Sequence, residues 1–178
     1  MSVPTERLFF ALWPNNAVRQ ALTRWQCGKL PSSGRWTASA GLHLTLVFVG
    51  SVKTDVRRCL CQAADGIRAP RFTLTLNRLG NWPRPQVAWL GVAGEPETGL
   101  LALVSELHKS AQSCGLQLDN RELVPHVTLA RKIKSFPSSW DQIPAPAIEW
   151  PVSEFVLVRS ETRSEGVVYQ PVYRWALQ

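Results

Sequence analysis

A four-residue pattern, His-x-Thr-Leu, occurs twice in this chain, from His43 to Leu46 and again from His126 to Leu129. Each copy comes after an apolar run and an amphipathic stretch, which follow one another in the same order. The copies are 83 residues apart in a chain of 178 residues. A repeat on this scale predicts two similar halves, each built as strand, helix and strand, that face each other.

The first half begins with an apolar run over 7–12, which is typical of a buried strand. A helix follows, and Gly28 supplies a stop for it. Its apolar residues stand at positions i, i+3, i+4 and i+7, namely Val18, Ala21, Leu22 and Trp25. A β-rich run over 42–49 then carries the first motif.

The rest of the chain repeats this order and adds a hairpin. The patterns predict a helix over 56–67, a strand over 72–76, a strand over 87–92, a helix over 100–111, a strand over 126–130, and a hairpin of strands 154–159 and 167–177 that turns at 164–166.

Composition indicates a globular protein with anionic partners. Hydrophobic residues make up 45% and charged residues 19% of the chain, which excludes disorder, collagen and coiled coil. The formal net charge of +7 favours a polyanionic partner, although such a charge also serves solubility alone. We find no secretion signal and no apolar stretch long enough to span a membrane.

The cysteines predict no disulfide scaffold and no metal site. The four of them are too few for such a scaffold in a chain of this length, and paired Cys-x-x-Cys or His-x-x-x-His spacings are absent. Reduced thiols and a cytoplasmic location are therefore expected for Cys27, Cys59, Cys61 and Cys114.

The two motifs place chemistry on one face of each strand. Side chains alternate along a strand, so the His and Thr of each copy share a face while the apolar residues enter the core. If the halves are related by a pseudo-twofold axis, two imidazoles and two hydroxyls can surround one tetrahedral anion such as a phosphodiester. One imidazole can accept a proton from water while the other donates one to the leaving oxygen.

The chain resembles the bacterial and archaeal RNA 2',3'-cyclic phosphodiesterases, also called 2'-5' RNA ligases, of the 2H phosphoesterase superfamily. The resemblance rests on RLFFAL, LHLTLVFVG, FTLTL, QVAWLGV, PHVTLAR and YRWAL, which cover nearly the whole chain. It implies an α+β, bilobal fold in which two pseudo-symmetric lobes each have an antiparallel sheet and helices, with the active site in the central cleft. Residues 1–178 would form a single 2H phosphoesterase domain, to which each lobe contributes one motif.

The resemblance also implies an activity and its residues. The reaction is hydrolysis of RNA 2',3'-cyclic phosphate ends to 2'-phosphates, with reversible 2'-5' ligation as a slower companion. His43 corresponds to the proton donor and His126 to the proton acceptor, while Thr45 and Thr128 contact the phosphate. The expected partner is RNA, such as tRNA halves, with no cofactor, no metal, no membrane and no obligate protein partner.

Arg131 matches a substrate-binding Arg of the family. A regular pleat points a residue five positions after His126 away from it, so Arg131 reaches the cleft only if the strand ends or bulges there. A surface ion pair is the alternative role. The first motif has Phe48 at the same offset, which makes the predicted site asymmetric.

Other candidates are interpreted as structural. His108 lies beside the apolar stripe of the third predicted helix and is interpreted as a helix-flank residue. Phe9, Phe10 and several of the eight Trp could stack on bases, but aromatic residues in apolar runs more often belong to the core. None of them is predicted as a site residue.

Two other functions stay open on the sequence. The same site could act on small cyclic phosphates, such as a cyclic phosphate of ADP-ribose, or on 2'-5' oligoadenylates. A non-catalytic RNA-binding module could use the same basic cleft, but it would not need two imidazoles placed to exchange protons.

Overall fold

A computed structural model describes residues 4–29, 34–118, 122–164 and 166–178 of the chain. Ten strands and three α-helices occur in these ranges, together with short 3-10 helices at Ser39–Gly41 and Trp140–Gln142. In chain order they are β1 (Thr5–Leu12), α1 (Asn16–Lys29), β2 (Arg35–Trp36), β3 (Leu44–Lys53), α2 (Thr54–Asp65), β4 (Phe72–Leu76), β5 (Arg78–Trp82), β6 (Val87–Gly91), α3 (Thr98–Ser113), β7 (His126–Arg131), β8 (Ile148–Val152), β9 (Glu154–Arg163) and β10 (Gly166–Ala176).

The main sheet has eight antiparallel strands in the order β10-β9-β1-β3-β7-β6-β5, with the short β2 paired to β7. Its two halves meet where β3 crosses β7, and a single register pair, Leu44 with Val127, joins these two fully described strands. Strands β1, β3, β9 and β10 belong to one half, and β2, β5, β6 and β7 belong to the other. The predicted α+β fold with two lobes of antiparallel sheet is therefore confirmed.

The helices and the small sheet of β4 and β8 cover the main sheet and enclose the core. Helices α2 and α3 pack on each other, and both contact β3. The core residues of the crossing strands are almost wholly buried: Leu44, Leu46, Val127 and Leu129. Burial of such side chains supplies about 1.5–3 kcal/mol each, so the backbone that carries both motifs is anchored from behind.

Three strands, β2, β5 and β8, were not expected from the sequence. Strand β5 has a glycine, Gly80, because the ring of Trp89 on β6 lies where a side chain would stand. This glycine breaks the alternation that would mark a strand. Strand β8 contains Pro151, which the two-stranded sheet tolerates since β8 pairs with β4 alone.

The expectation of four reduced cysteines is wrong for two of them. Cys59 of α2 and Cys114, the residue that follows α3, form a disulfide with a Cα–Cα distance of 5.8 Å. The packing of α2 on α3 brings these residues together across 55 positions, a proximity that sequence spacing cannot show. Cys27 and Cys61 are free thiols.

Within the described ranges, no helix has the length and apolar character needed to cross a membrane.

Candidate active site

The two motifs meet at the crossing of β3 and β7. His43 immediately precedes β3, and His126 is the first residue of β7. The antiparallel register that pairs Leu44 with Val127 sets each histidine across from the threonine of the other motif. His43, Thr45, His126 and Thr128 are all partly exposed, whereas the apolar residues between them are buried. The structure thus brings together the four polar residues that the sequence placed on one face.

The two imidazoles are held in the same way. His43 Nδ1 lies 2.7 Å from the carbonyl oxygen of Gly41, and His126 Nδ1 lies 2.7 Å from that of Val124. A carbonyl oxygen can only accept, so each Nδ1 carries the hydrogen and donates it. Each Nε2 is then the nitrogen that gains or loses a proton, which is the arrangement that acid–base work requires.

Aromatic rings surround His43. Trp13 stacks on the imidazole with ring centroids 5.8 Å apart, while Phe9 lies at 4.9 Å and Tyr169 at 4.7 Å. Burial among these rings lowers the pKa of His43 to about 4, because desolvation penalises the imidazolium; the charge of Arg131 adds to the effect. His43 is therefore neutral in the free protein at pH 7.

His126 has a similar but more open environment. Trp82 lies edge-on to its ring at 4.6 Å, and Trp89 of β6 lies at 6.0 Å. Burial lowers the pKa of His126, and the charge of Arg131 lowers it further, while the Val124 carbonyl opposes the shift. The sequence analysis interpreted aromatic residues as more often core than site. Phe9 and Trp89 are indeed buried, at 3% and 5% exposure, yet they also contact the imidazoles, which the local sequence pattern does not show.

A β-bulge follows the threonine of each motif. Leu46 is the extra residue where the register between β1 and β3 shifts next to Thr45. Leu129 is the extra residue where the register between β6 and β7 shifts next to Thr128. Each motif therefore has the same histidine–carbonyl hydrogen bond and the same β-bulge after its threonine, as expected of two pseudo-symmetric lobes.

The bulge at Leu129 decides where Arg131 points. A bulge reverses the alternation of faces beyond it, so Arg131 lies on the face of His126 and Thr128, although its offset from His126 is odd. The strand also ends there, since the next residue, Lys132, has a φ of 61°. The charge of Arg131 lowers the pKa of both histidines, in agreement with this position.

Gln26 of α1 holds this bulge and was not predicted. It is 4% exposed, and its Nε2 donates to the carbonyl of Leu129 at 2.7 Å and to that of Thr37 at 3.3 Å. The Leu129 carbonyl also accepts the backbone N–H of Thr37 at 2.8 Å. A buried carbonyl displaced from its strand ladder needs such partners. The single sequence signal for Gln26 is its polar side chain on the apolar face of α1.

Two cavities flank the histidine pair. The first groove, of about 770 Å³, lies on the His43 side and is lined by residues that include Trp13, Arg19, Ser39, Glu154 and Arg174. The second groove, of about 720 Å³, lies on the His126 side and is lined by residues that include Thr45, Phe48, Trp82, His108 and Val124. The first is cationic, whereas the second is mainly apolar.

The first motif has an exposed phenyl ring where the second has Arg131. Phe48 is 51% exposed, and the guanidinium of Arg7 lies 5.0 Å from its ring centroid. His108, interpreted as structural from the sequence, lies on α3 and contributes to the wall of the second groove.

Among the described residues, no group of three or more His, Cys, Asp and Glu side chains stands close enough to hold a metal ion.

Comparisons with known proteins show the family of this chain. The family model described as the 2'-5' RNA ligase superfamily matches residues 14–163. The chain is 38% identical to an RNA 2',3'-cyclic phosphodiesterase of Escherichia coli K12 over 99% of both chains. It is 31% identical to a protein of the same name from Thermotoga maritima, over 94% of this chain and 93% of that one.

Solved structures from relatives have the same fold as this chain. The crystal structure of E. coli LigT in its apo form has a TM-score of 0.88 and 37% identity to this chain, and it covers 97% of this chain and 98% of its own. The chain belongs to the 2'-5' RNA ligase superfamily, together with these bacterial RNA 2',3'-cyclic phosphodiesterases.

Proposed function

We propose that this protein hydrolyses RNA ends that carry a 2',3'-cyclic phosphate, with His43 and His126 as the acid–base pair. The observation that supports it most is the equivalence of the two imidazoles, each with Nδ1 held by a backbone carbonyl and Nε2 left for proton transfer. Relatives named RNA 2',3'-cyclic phosphodiesterase support the substrate. The related E. coli LigT has been crystallised with phosphate and with 3'-AMP, which fits a site for a nucleotide phosphate.

The proposed step is an in-line displacement at phosphorus. Water attacks and gives a proton to Nε2 of His126, while the bond from phosphorus to the 3'-oxygen breaks. That oxygen takes a proton from Nε2 of His43, and the product carries a 2'-phosphate. The hydroxyls of Thr45 and Thr128 and the guanidinium of Arg131 bind the non-bridging oxygens.

The acid must be charged before it can donate. Because burial holds the pKa of His43 at about 4, the bound phosphate anion has to supply the stabilisation that lets this imidazole take up a proton. Ligation uses the same groups: a 5'-hydroxyl replaces water as the nucleophile and forms a 2'-5' phosphodiester.

The proposal includes a single 2H phosphoesterase domain over 1–178 and a cytoplasmic location. The Cys59–Cys114 disulfide is unusual for that compartment, where thiols are kept reduced. Thiol titration of protein prepared without reductant tests whether the disulfide forms. Two reactive thiols after denaturation agree with the disulfide, and four contradict it.

The experiment is hydrolysis of a labelled oligonucleotide that ends in a 2',3'-cyclic phosphate, with identification of the product. A 2'-phosphate is expected. His43→Ala and His126→Ala should each lower the rate by about two to four orders of magnitude. Thr45→Ala and Thr128→Ala should each cost about tenfold to a hundredfold, because each removes one hydrogen bond to a charged group.

Arg58→Gln is the control, since it changes an exposed residue of α2 that lines neither groove and should leave the rate unchanged. A 3'-phosphate product, or a folded His43→Ala protein with wild-type turnover, would contradict the assignment. Equal activity on mononucleotides and oligonucleotides would favour the small-nucleotide alternative, and binding without turnover would favour the RNA-binding module.

A further inference from the structure

We infer that the first groove binds the phosphodiester backbone of the RNA strand on the 5' side of the reacting nucleotide, through Arg19 and Arg174. This inference rests on the proposed function and specifies its substrate class as an oligonucleotide. It commits the strand to one of the two cavities that flank the histidine pair.

The first groove carries positive charge close to the histidine pair. The guanidinium of Arg19 lies 5.4 Å from the ring centroid of Trp13, which in turn stacks on His43 at 5.8 Å. The two distances place the Arg19 guanidinium at most about 11 Å from the imidazole, a length that a few nucleotides span. Arg174 lines the same cavity. Burial lowers the pKa of Arg19, and the charge of Arg174 lowers it further.

Arg19 is held in place for this role. Its Nη1 donates to the carbonyl of Ser39, and its Nη2 donates to that of Pro14 at 3.1 Å. These bonds use two of the five N–H donors of a guanidinium. Burial and the charge of Arg174 both disfavour the Arg19 cation, so Arg19 gains stabilisation from an anion bound beside it.

Glu154 is the one carboxylate among the described residues that line the first groove, and it forms an ion pair with Arg174. Arg174 is 51% exposed, so this pair is accessible to solvent and contributes little on its own. An RNA phosphate would compete with Glu154 for Arg174, and removal of the carboxylate should therefore strengthen RNA binding.

The second groove lacks these features. Its described lining contains no Lys or Arg, carries Glu122, and is largely apolar through residues such as Phe48, Leu101 and Leu123. Such walls suit a base or a sugar better than a chain of phosphates.

The proposed chemistry points to the same side. The oxygen that leaves phosphorus belongs to the ribose of the terminal nucleotide, and His43 protonates it. That ribose therefore lies on the His43 side, and its 5'-oxygen leads into the preceding phosphodiester. The first groove begins at Trp13, which stacks on His43.

The test compares two substrates, 2',3'-cyclic AMP and a trinucleotide that ends in the same cyclic phosphate. Arg174→Gln should lower kcat/KM for the trinucleotide by about fivefold to twentyfold and leave that for the mononucleotide within twofold. Arg58→Gln is the matched control, because it removes the same charge from an exposed residue of α2 that lines neither groove. Equal losses on the two substrates, or no difference from Arg58→Gln, would overturn the inference.

A binding measurement makes the result independent of turnover. Fluorescence anisotropy with a trinucleotide that carries a 2'-phosphate should show weaker binding by Arg174→Gln, and a slope of log affinity against log salt smaller by about 0.7 to 1. Glu154→Gln should bind more tightly than wild type. If the wild-type protein hydrolyses neither substrate, the proposed function fails, but these affinities still decide whether the first groove binds RNA. Unchanged affinities in both variants would refute the inference about the groove.

Discussion

Anion binding should raise the pKa of His43 from about 4 to about 7. In the free protein, burial among Phe9, Trp13 and Tyr169 disfavours the imidazolium, so His43 stays neutral down to about pH 4. A tetrahedral anion at the crossing of β3 and β7 would bring negative charge to within about 4 Å of Nε2. The imidazolium would then gain the partner that the protein alone does not provide.

The expected size follows from Coulomb's law. One negative charge about 4 Å away is worth about 4 kcal/mol at the effective dielectric constant of about 20 that suits protein sites. Each pKa unit corresponds to about 1.4 kcal/mol, so the shift is about three units upward. This would place the pKa of the complex near 7, where a general acid works best at neutral pH.

NMR titration of the imidazole carbon signals measures both values directly, because the chain has three histidines and single His→Gln variants assign them. Sulfate is a suitable probe, since it stays a dianion over the whole titration and should raise the pKa of His43 by at least the three units worked out for one charge. A free-protein pKa of His43 above 6, or one that stays below 5 at saturating sulfate, would refute the reasoning.

Three further predictions concern metal, positioning and acid stability. EDTA should leave the rate unchanged, and restoration of an EDTA-treated enzyme by Mg²⁺ or Mn²⁺ would contradict catalysis by the His pair. Gln26→Met removes the side-chain donor to the bulge that orients Arg131, so it should lower the free energy of unfolding in urea by about 0.5–1.5 kcal/mol. It should also raise KM more than it lowers kcat. An unchanged KM would show that the bulge does not need the Gln26 hydrogen bond. Between pH 6.5 and 4 the free energy of unfolding should fall as pH falls, because unfolded His43 binds its proton first; His43→Gln should flatten this limb, and an unchanged limb would contradict the lowered pKa.

The sequence predicted those parts of the site that depend on regular strand geometry. Alternation along a strand is enough to place His43 with Thr45 and His126 with Thr128, and the buried residues between them confirm it. The strand predicted over 72–76 coincides with β4 for the same reason.

The features that escaped prediction all depend on contacts between distant residues. The direction of Arg131 follows from a bulge at Leu129, whose carbonyl is bonded by Gln26 from 103 positions away. The disulfide between Cys59 and Cys114 needs the packing of two helices. Local patterns carry no information on such pairings, which arise only when the chain folds.

The single register pair between Leu44 and Val127 is the point about which the two halves of the sheet would rotate relative to each other. His43 and His126 each stand one residue from it, about 3.3 Å along the strand, while Lys53 at the end of β3 is about 30 Å away. A 10° rotation of one half about this point would move the Cα atom of its histidine by about 0.6 Å, and rotation of the half that contains β3 would move the far end of that strand by about 5 Å. A relative rotation of the halves would therefore change the separation of the proposed acid and base far less than it would change the outer walls, where RNA of varied bulk would bind.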